Sequence, residues 1–434
     1  MANSYLSRTF SGSPTMTTFT VSFWIKRTGI GATQRIFSSQ IDTNNSSTFY
    51  FSASDQLNIA TTVSGATKCD IRPNRRFRDT SAWYHIVVQK NTTLATANDR
   101  VKIWVNGVEE TDVTRSTTQV QNAEDFFLKT GSTHEIGRRP VNNDQNFDGY
   151  LSHVCIVQGS VVAPTSFGET DSTSGIWKFK SPSGVSFGTN GFHLKFENSG
   201  ALGTDSSGNS QTWTVNGNLK QALDTPSNVY CTLNPLDTSR GLSNGNTTYA
   251  GASAGTVVKG TLAVTSGKYY AECKIVDASE NMIGVLDIGQ APTTTYVGHS
   301  SVGWGIYTGD GNLYNNASSS SYSSAFSDND IMGIALDMDN NKLYFSKNGV
   351  WQNSGVPTSG ATGTGAISIT SGLTMTFCGG RDGASDTASF NFGNGYFGTT
   401  AITSAGSNGN GSLFEYDVPS GFYALNTKNI NTYG

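Results

Sequence analysis

The acid string with the best claim to chemistry is Glu110-Thr111-Asp112. Glycoside hydrolysis needs two carboxyl groups flanking one bond, one to give a proton and one to attack or to activate water. A third acid is missing from the string, which follows directly on the Asn106-Gly107 pair, so no catalytic pair is expected and the chain reads as a non-enzyme. The segment GASAG, 251–255, has the spacing of an exposed serine nucleophile, yet no apolar strand precedes it and no helical pattern follows to present the hydroxyl. Asp337, Asp339 and Asn341 imitate the start of a calcium loop. Lys342 stands where that loop needs glycine and Asn348 where it needs a bidentate glutamate, so a turn between two strands explains them better. The histidines His85, His134, His153, His193 and His299 show no short ligand spacing, and no metal or other cofactor is expected. Cys69, Cys155, Cys231, Cys273 and Cys378 are widely spread and contain no CxxC pair, so reduced, buried thiols are expected.

Binding chemistry is better represented. Arg72, Arg75, Arg76 and Arg78 form the densest basic cluster, with Phe77 among them. A solvated loop is the plain reading. A docking cluster for an acidic subunit or an anionic polysaccharide is the functional one, since planar guanidinium groups suit carboxylates. Tyr307, Asp310, Asn312, Tyr314 and Asn316 lie in or beside a G-D-G-N turn, Tyr322 follows a serine run, and Trp351 follows a K-N-G turn. Aromatic faces that stack, beside amides and carboxylates that bond hydroxyls, are what a carbohydrate or protein epitope requires. Tyr314, with Phe326, has the pattern of a core residue as well. Trp24 and Trp104 fall on the polar parity of their strands, which points to packing under a covering loop.

The elements that position these groups are strands. Charged residues are 14% of the chain and glycine reaches 49 residues, while runs of Ser, Thr, Asn and Gly separate short apolar stretches. In FTVSFWIKR, 19–27, Phe19, Val21, Phe23 and Ile25 alternate with Thr20, Ser22, Trp24 and Lys26. WYHIVVQK, 83–90, and VKIWVNGVEE, 101–110, repeat the alternation, and the second runs into an Asn-Gly pair suited to a tight hairpin. At 434 residues the chain exceeds one ordinary core, so two domains are expected. A net charge of -4 excludes a global footprint for nucleic acid, and no apolar run approaches the ~18 residues of a membrane span. The start, MANSYLSRTFSGSP, lacks the basic and apolar regions of a secretory signal, so synthesis as a soluble cytoplasmic chain is expected.

The order of signals over roughly residues 5–170 resembles the laminin-G-like, concanavalin-A-like jelly roll: an aromatic strand, then W-Y-H-I-V, the V-x-I-W-V-N-G hairpin, I-G and D-G-Y-L-S-x-V. Animal members of that family often bind calcium or carry disulfides, but no ligating aspartate set and no cysteine pair receives those properties here. From about 228 to 425 the chain resembles a SPRY domain, through SGKYYAECKI, GVLDIG, NDIMGIALDMDNNKLYFSKNGV and FNFG. That resemblance implies a second concanavalin-like β-sandwich, which contacts partners through loops at one end. The expected fold is all-β, with two concanavalin-A-like jelly-roll sandwiches: residues 1–172, an ordered bridging segment 173–225, and residues 226–434. VNGV, 105–108, and KNGV, 347–350, suggest one hairpin device used in both.

Two recognition-type sandwiches on a chain without a leader pose a compartment problem, which assembly in a reducing cytosol and exposure after lysis would resolve. The segments GFHLKF and DSSGN of the bridge, with PSGFYALNT at 419–427, resemble those of phage particle proteins. The expectation is therefore a bacteriophage virion surface protein. It would act as a non-enzymatic adhesin (tail fibre, tail tip or receptor-binding protein) that contacts host surface glycan or protein and other virion proteins, in several copies or as a homo-oligomer. A capsid decoration or head-fibre protein is the alternative, favoured by the lack of heptads or shaft repeats. A polysaccharide depolymerase is a third reading, opposed by the missing acid pair.

Overall fold

A computed structural model describes residues 4–251, 257–291, 295–381 and 386–434. The chain divides into two compact units, Met1–Gln221 and Ala222–Gly434. Both are built of sheets that are antiparallel except where Tyr423–Ala424 pairs parallel to Lys268–Ile275, and the one α-helix among the described residues is the seven-residue Thr427–Tyr433. No helix among the described residues is long and apolar enough to cross a membrane.

In the first unit an eight-stranded sheet runs from Val113–Thr117 through Ala66–Pro73, Leu57–Val63, Asn45–Phe51, Gln34–Asp42, Thr133–Ile136 and Tyr5–Arg8 to Thr214–Asn216. A six-stranded sheet holds Phe192–Leu194, Gly149–Gln158, Thr18–Arg27, Tyr84–Asn91, Val101–Val105 and Val108–Glu109 in that order. The core lies between them. Phe19, Val21, Phe23 and Ile25 point into it with Ile86, Val88, Phe37 and Phe49, as the alternation requires. The opposite parity of Thr18–Arg27 is buried too, because segment 160–187 lies over the outer face and covers Trp24.

Residues 173–225, expected to bridge two modules, belong for the most part to the first unit. Phe192–Leu194 pairs with Gly149–Gln158 and Thr214–Asn216 pairs with Tyr5–Arg8, so both extend first-unit sheets. Trp213 supplies core contacts to Phe37 and Phe192. A short segment read alone shows strand propensity but not its partner, which for Asn216 is Tyr5, more than two hundred positions away.

In the second unit the larger sheet orders Gly241–Ser243, Thr248–Ala250, Thr387–Asn391, Lys268–Ile275, Ile331–Asp337, Lys342–Lys347 and Val350–Trp351. The smaller one orders Val258–Lys259, Met375–Gly379, Met282–Asp287, Gly303–Tyr307, Leu313–Asn315 and Ser318–Ser320. Ile283, Val285, Trp304, Ile306, Phe345, Phe377 and Phe390 fill the space between. The shared hairpin device holds: Asn106 and Gly107 sit at φ 49° and 79°, as do Asn348 and Gly349. Both residues of each pair are left-handed, as a two-residue hairpin turn demands. All five cysteines are buried.

Candidate functional site

The outer face of the smaller sheet in the second unit carries a row of aromatic side chains. Residues 307 and 314 take the outward parity of their strands, since Ile306 and Leu313 face the core. Tyr307 and Tyr314 meet edge to face with ring centres 6.1 Å apart, and Tyr314 meets Tyr296 in the same way at 6.0 Å. His299 stands edge-on to Tyr296 at 5.1 Å. Arg381 closes the other end, its guanidinium 5.1 Å from the Tyr307 ring centre and its Nη1 donating to the Tyr307 hydroxyl at 3.2 Å. A backbone bridge between Tyr296 and Arg381 ties the two ends. Val257, Met282, Leu286, Val297 and Cys378 form the apolar floor. The three tyrosines and Arg381 are half-buried and His299 is exposed, and the Tyr307 hydroxyl donates to the Ser279 carbonyl at 3.1 Å.

Of the expected site residues, Tyr307 and Tyr314 are in this row, while Asp310, Asn312 and Asn316 lie in the adjoining turns. Asp310 accepts from the backbone N–H of Asn312 at 2.8 Å and from its amide at 2.9 Å, so both shape the turn. Asn316 is exposed with φ 52°. Tyr322 is not a surface group. It is 8% exposed, packs edge-on to Phe345, and its hydroxyl accepts the Phe345 backbone N–H at 3.2 Å. Burial pushes its hydroxyl up to about 12. Phe326 is core as well. Trp351 belongs to the other outer face of the sandwich, half-buried against Tyr270 and Tyr344. Tyr296, His299 and Arg381 were not singled out in the sequence. They sit in polar loops without periodicity, and only the fold brings them beside Tyr307.

The arginine cluster makes its contacts within its own unit. Arg75 pairs with Glu110 at 2.6 Å, Arg78 with Asp55 at 2.8 Å and Arg72 with Asp70 at 3.8 Å, while Arg76 donates to the Ser54 carbonyl. Phe77 between them is fully buried. Among the described residues Arg76 meets only the neutral Ser54 carbonyl and Asp55 is shared with buried Arg27, so the exposed loop keeps a net positive charge.

The acid string is engaged in the same way: Glu110 holds Arg75, and Asp112 accepts from Asn74 at 2.6 Å. Residues 252–255 of GASAG lie outside the described residues. Asp337 is buried against Lys268 at 2.8 Å, and Asp339 accepts the Gly267 N–H, which makes that segment a hairpin turn. Among the described residues no group of three or more His, Cys, Asp or Glu is placed to hold a metal ion. Two serine–histidine pairs meet: Ser39 Oγ with His134 Nε2 at 3.1 Å, where the hydroxyl donates to the Phe126 carbonyl and Nε2 accepts the Leu128 N–H, and Ser22 Oγ with His85 Nε2 at 2.9 Å. However, His85 Nδ1 receives the Trp177 indole N–H at 2.9 Å. An indole nitrogen only donates, so Nδ1 must be the acceptor and Nε2 carries the proton. That imidazole donates to Ser22 and cannot deprotonate it, the reverse of a nucleophile and its base.

Residues 3–165 match the family model of the concanavalin A-like lectin/glucanases superfamily, and residues 268–393 match that of the SPRY domain. Among solved structures, the SPRY domain of human HERC1 is 19% identical with a TM-score of 0.29, over 36% of this chain and 96% of that one. A human SPRY domain is 16% identical with a TM-score of 0.25, over 33% and 90%. The TRIM65 PSpry domain is 14% identical with a TM-score of 0.30, over 37% and 91%. No curated protein matches the chain in sequence. The chain thus carries an N-terminal concanavalin A-like domain and a C-terminal SPRY domain, each within one of the two β-sandwich units.

Proposed function

We infer that this protein is a non-enzymatic recognition protein whose principal contact surface is the tyrosine row of the second unit. The single observation that carries this reading is the continuous arrangement of Tyr314 and Tyr307 on the sheet face with Tyr296 and Arg381 on the adjoining loops. Ring faces at fixed spacing stack on the apolar faces of sugar rings, and phenolic hydroxyls with a guanidinium bond the sugar hydroxyls. The ligand class is a glycan of a host cell surface. Single sites of this open kind bind modestly, and display in several copies raises the avidity.

The setting is the outside of a bacteriophage particle, with the protein acting as an adhesin attached to other virion proteins. Support comes from the phage-like segments at 191–209 and 419–427. Binding of the full chain to host surface polysaccharide, with Tyr307→Ala and Tyr314→Ala as partners, tests the site. Equal binding by all three proteins, or release of reducing ends from the polysaccharide, would reject it. Mass spectrometry of purified particles tests the setting.

A further inference from the structure

In the first unit, segment 160–187 covers the outer face of the six-stranded sheet with few backbone anchors. Thr20 Oγ1 donates to the Ser160 carbonyl at 3.0 Å and accepts the Val162 N–H at 2.9 Å, and Gln89 donates to the Val162 carbonyl at 2.8 Å. At the far end the Gln158 N–H donates to the Phe187 carbonyl at 3.0 Å. Between these ends side chains make the contact. Phe167 and Phe187 rest on Val87, Cys155 and Val157, while Trp177 bonds His85 and Phe179 stacks on His153 with ring centres 3.6 Å apart.

These contacts converge on three imidazoles. The His85 ring lies parallel to Trp24 at 4.7 Å and to Trp177 at 6.0 Å. His153 sits at the irregularity between Ser152 and Cys155, with φ 49°, and its Nδ1 is 3.2 Å from His193 Nε2. A proton on His85 Nδ1 removes the acceptor of the Trp177 N–H, and protons on both His153 and His193 set two cations in contact. The closed segment therefore requires a neutral His85 and no more than one extra proton on the His153–His193 pair.

Burial is the largest cause in each case and pushes His85 and His153 down to about 3 and His193 to about 4. His153 adds to the effect on His85, His193 and Lys195 add to it on His153, and Lys195 adds to it on His193. Asp205 and Glu197 oppose it at His193. The remaining neighbours are Ser22 and Trp24 from Thr18–Arg27, Cys155 from the His153 strand, and Phe167, Phe179 and Pro182 from the segment. Of the segment's own charges, Glu169, Asp171 and Lys178 pair with one another, and Lys180, beside Phe179, is exposed. Among the described residues no carboxylate bonds any of the three rings.

We propose that segment 160–187 is an acid-released cover, lifted from the sheet when His85, His153 and His193 take up protons, and that its release bares Trp24 and Trp104. In the open form the rings return to an ordinary value of 6.5. Closure is thus fully favoured above that pH and weakens as pH falls below it toward about 4. Each histidine contributes up to about tenfold in the opening equilibrium per pH unit.

Cys155, 2% exposed beneath the segment, reports the opening. The full chain is treated with 4,4'-dithiodipyridine between pH 7 and 4.5, each rate being divided by that of a free thiol at the same pH, with Cys155→Ser identifying the signal. The relative rate at Cys155 should rise at least tenfold from pH 7 to 5 while the other four thiols stay protected. His153→Asn, whose side chain tolerates the left-handed backbone, and His85→Gln should each flatten that rise. A flat wild-type profile, a simultaneous rise at all five thiols, or an unchanged slope in both variants would overturn the proposal.

Discussion

The indole Nε1 of Trp177 donates to Nδ1 of His85 at 2.9 Å across 92 positions of sequence, and this bond sets the tautomer of the ring. Trp177→Phe keeps an aromatic ring over Gly107 and leaves a buried acceptor empty. An unfilled buried acceptor costs about 1–3 kcal/mol, so the denaturation midpoint of the first unit should fall accordingly. Nitrogen chemical shifts of His85 should show the proton on Nε2 in the wild type and a mixture in the variant.

Asp55 is a second anchor of the first unit. Its carboxylate accepts from buried Arg27 at 3.1 Å, from Arg78 at 2.8 Å and from the Gly31 N–H at 2.8 Å. Removing one partner of a buried pair strands the other charge. Asp55→Ala should destabilise the unit by about 3–5 kcal/mol, read as a lower denaturant midpoint at unchanged slope.

In the second unit, Glu272 lies beneath residues 412–417. Its oxygens accept the backbone N–H groups of Glu415 and Tyr416, each at 2.8 Å, and the Tyr270 hydroxyl at 3.2 Å. Burial nevertheless dominates and raises the carboxyl to about 7 from its usual 4.5. A raised carboxyl favours the folded state below 4.5, and that contribution is lost as pH climbs through 7. The unit should therefore lose up to about 3 kcal/mol of stability between pH 4.5 and 7.5, with carbon NMR placing the Glu272 midpoint near neutrality. A midpoint near 4.5 would show that the hydrogen bonds offset burial.

Tyr307 and Trp351 should separate binding from stability. Tyr307→Ala should weaken glycan binding by about 1–3 kcal/mol, beyond the modest stability cost of losing its bonds to Ser279 and Arg381. Trp351→Ala, which strips a half-buried ring from Tyr270 and Tyr344, should cost about 2 kcal/mol of stability and leave binding intact. Calorimetry of both variants against the same polysaccharide, with thermal melts, checks the division.

The alternation at 19–27, 83–90 and 101–110 determined by itself that the chain is all-β, because a period of two places one parity in a core whatever the partner strand. The Asn-Gly pairs likewise determined their hairpins, since few residues accept two successive left-handed positions. Which strand pairs with which was decided only in three dimensions. Phe192–Leu194 and Thr214–Asn216 extend the first unit because edges left open by distant strands accept them. The candidate site divides along the same line. Tyr307 and Tyr314 were legible because they flank a turn in a strand pattern, whereas Tyr322 was misplaced because an aromatic after a serine run gives no sign of whether its loop folds inward. Tyr296, His299 and Arg381 come from loops without periodicity, and the histidines of the first unit lie on separate strands. Side chains so far apart in sequence become neighbours only when sheets pair and a covering segment folds over them, a relationship that no local spacing encodes.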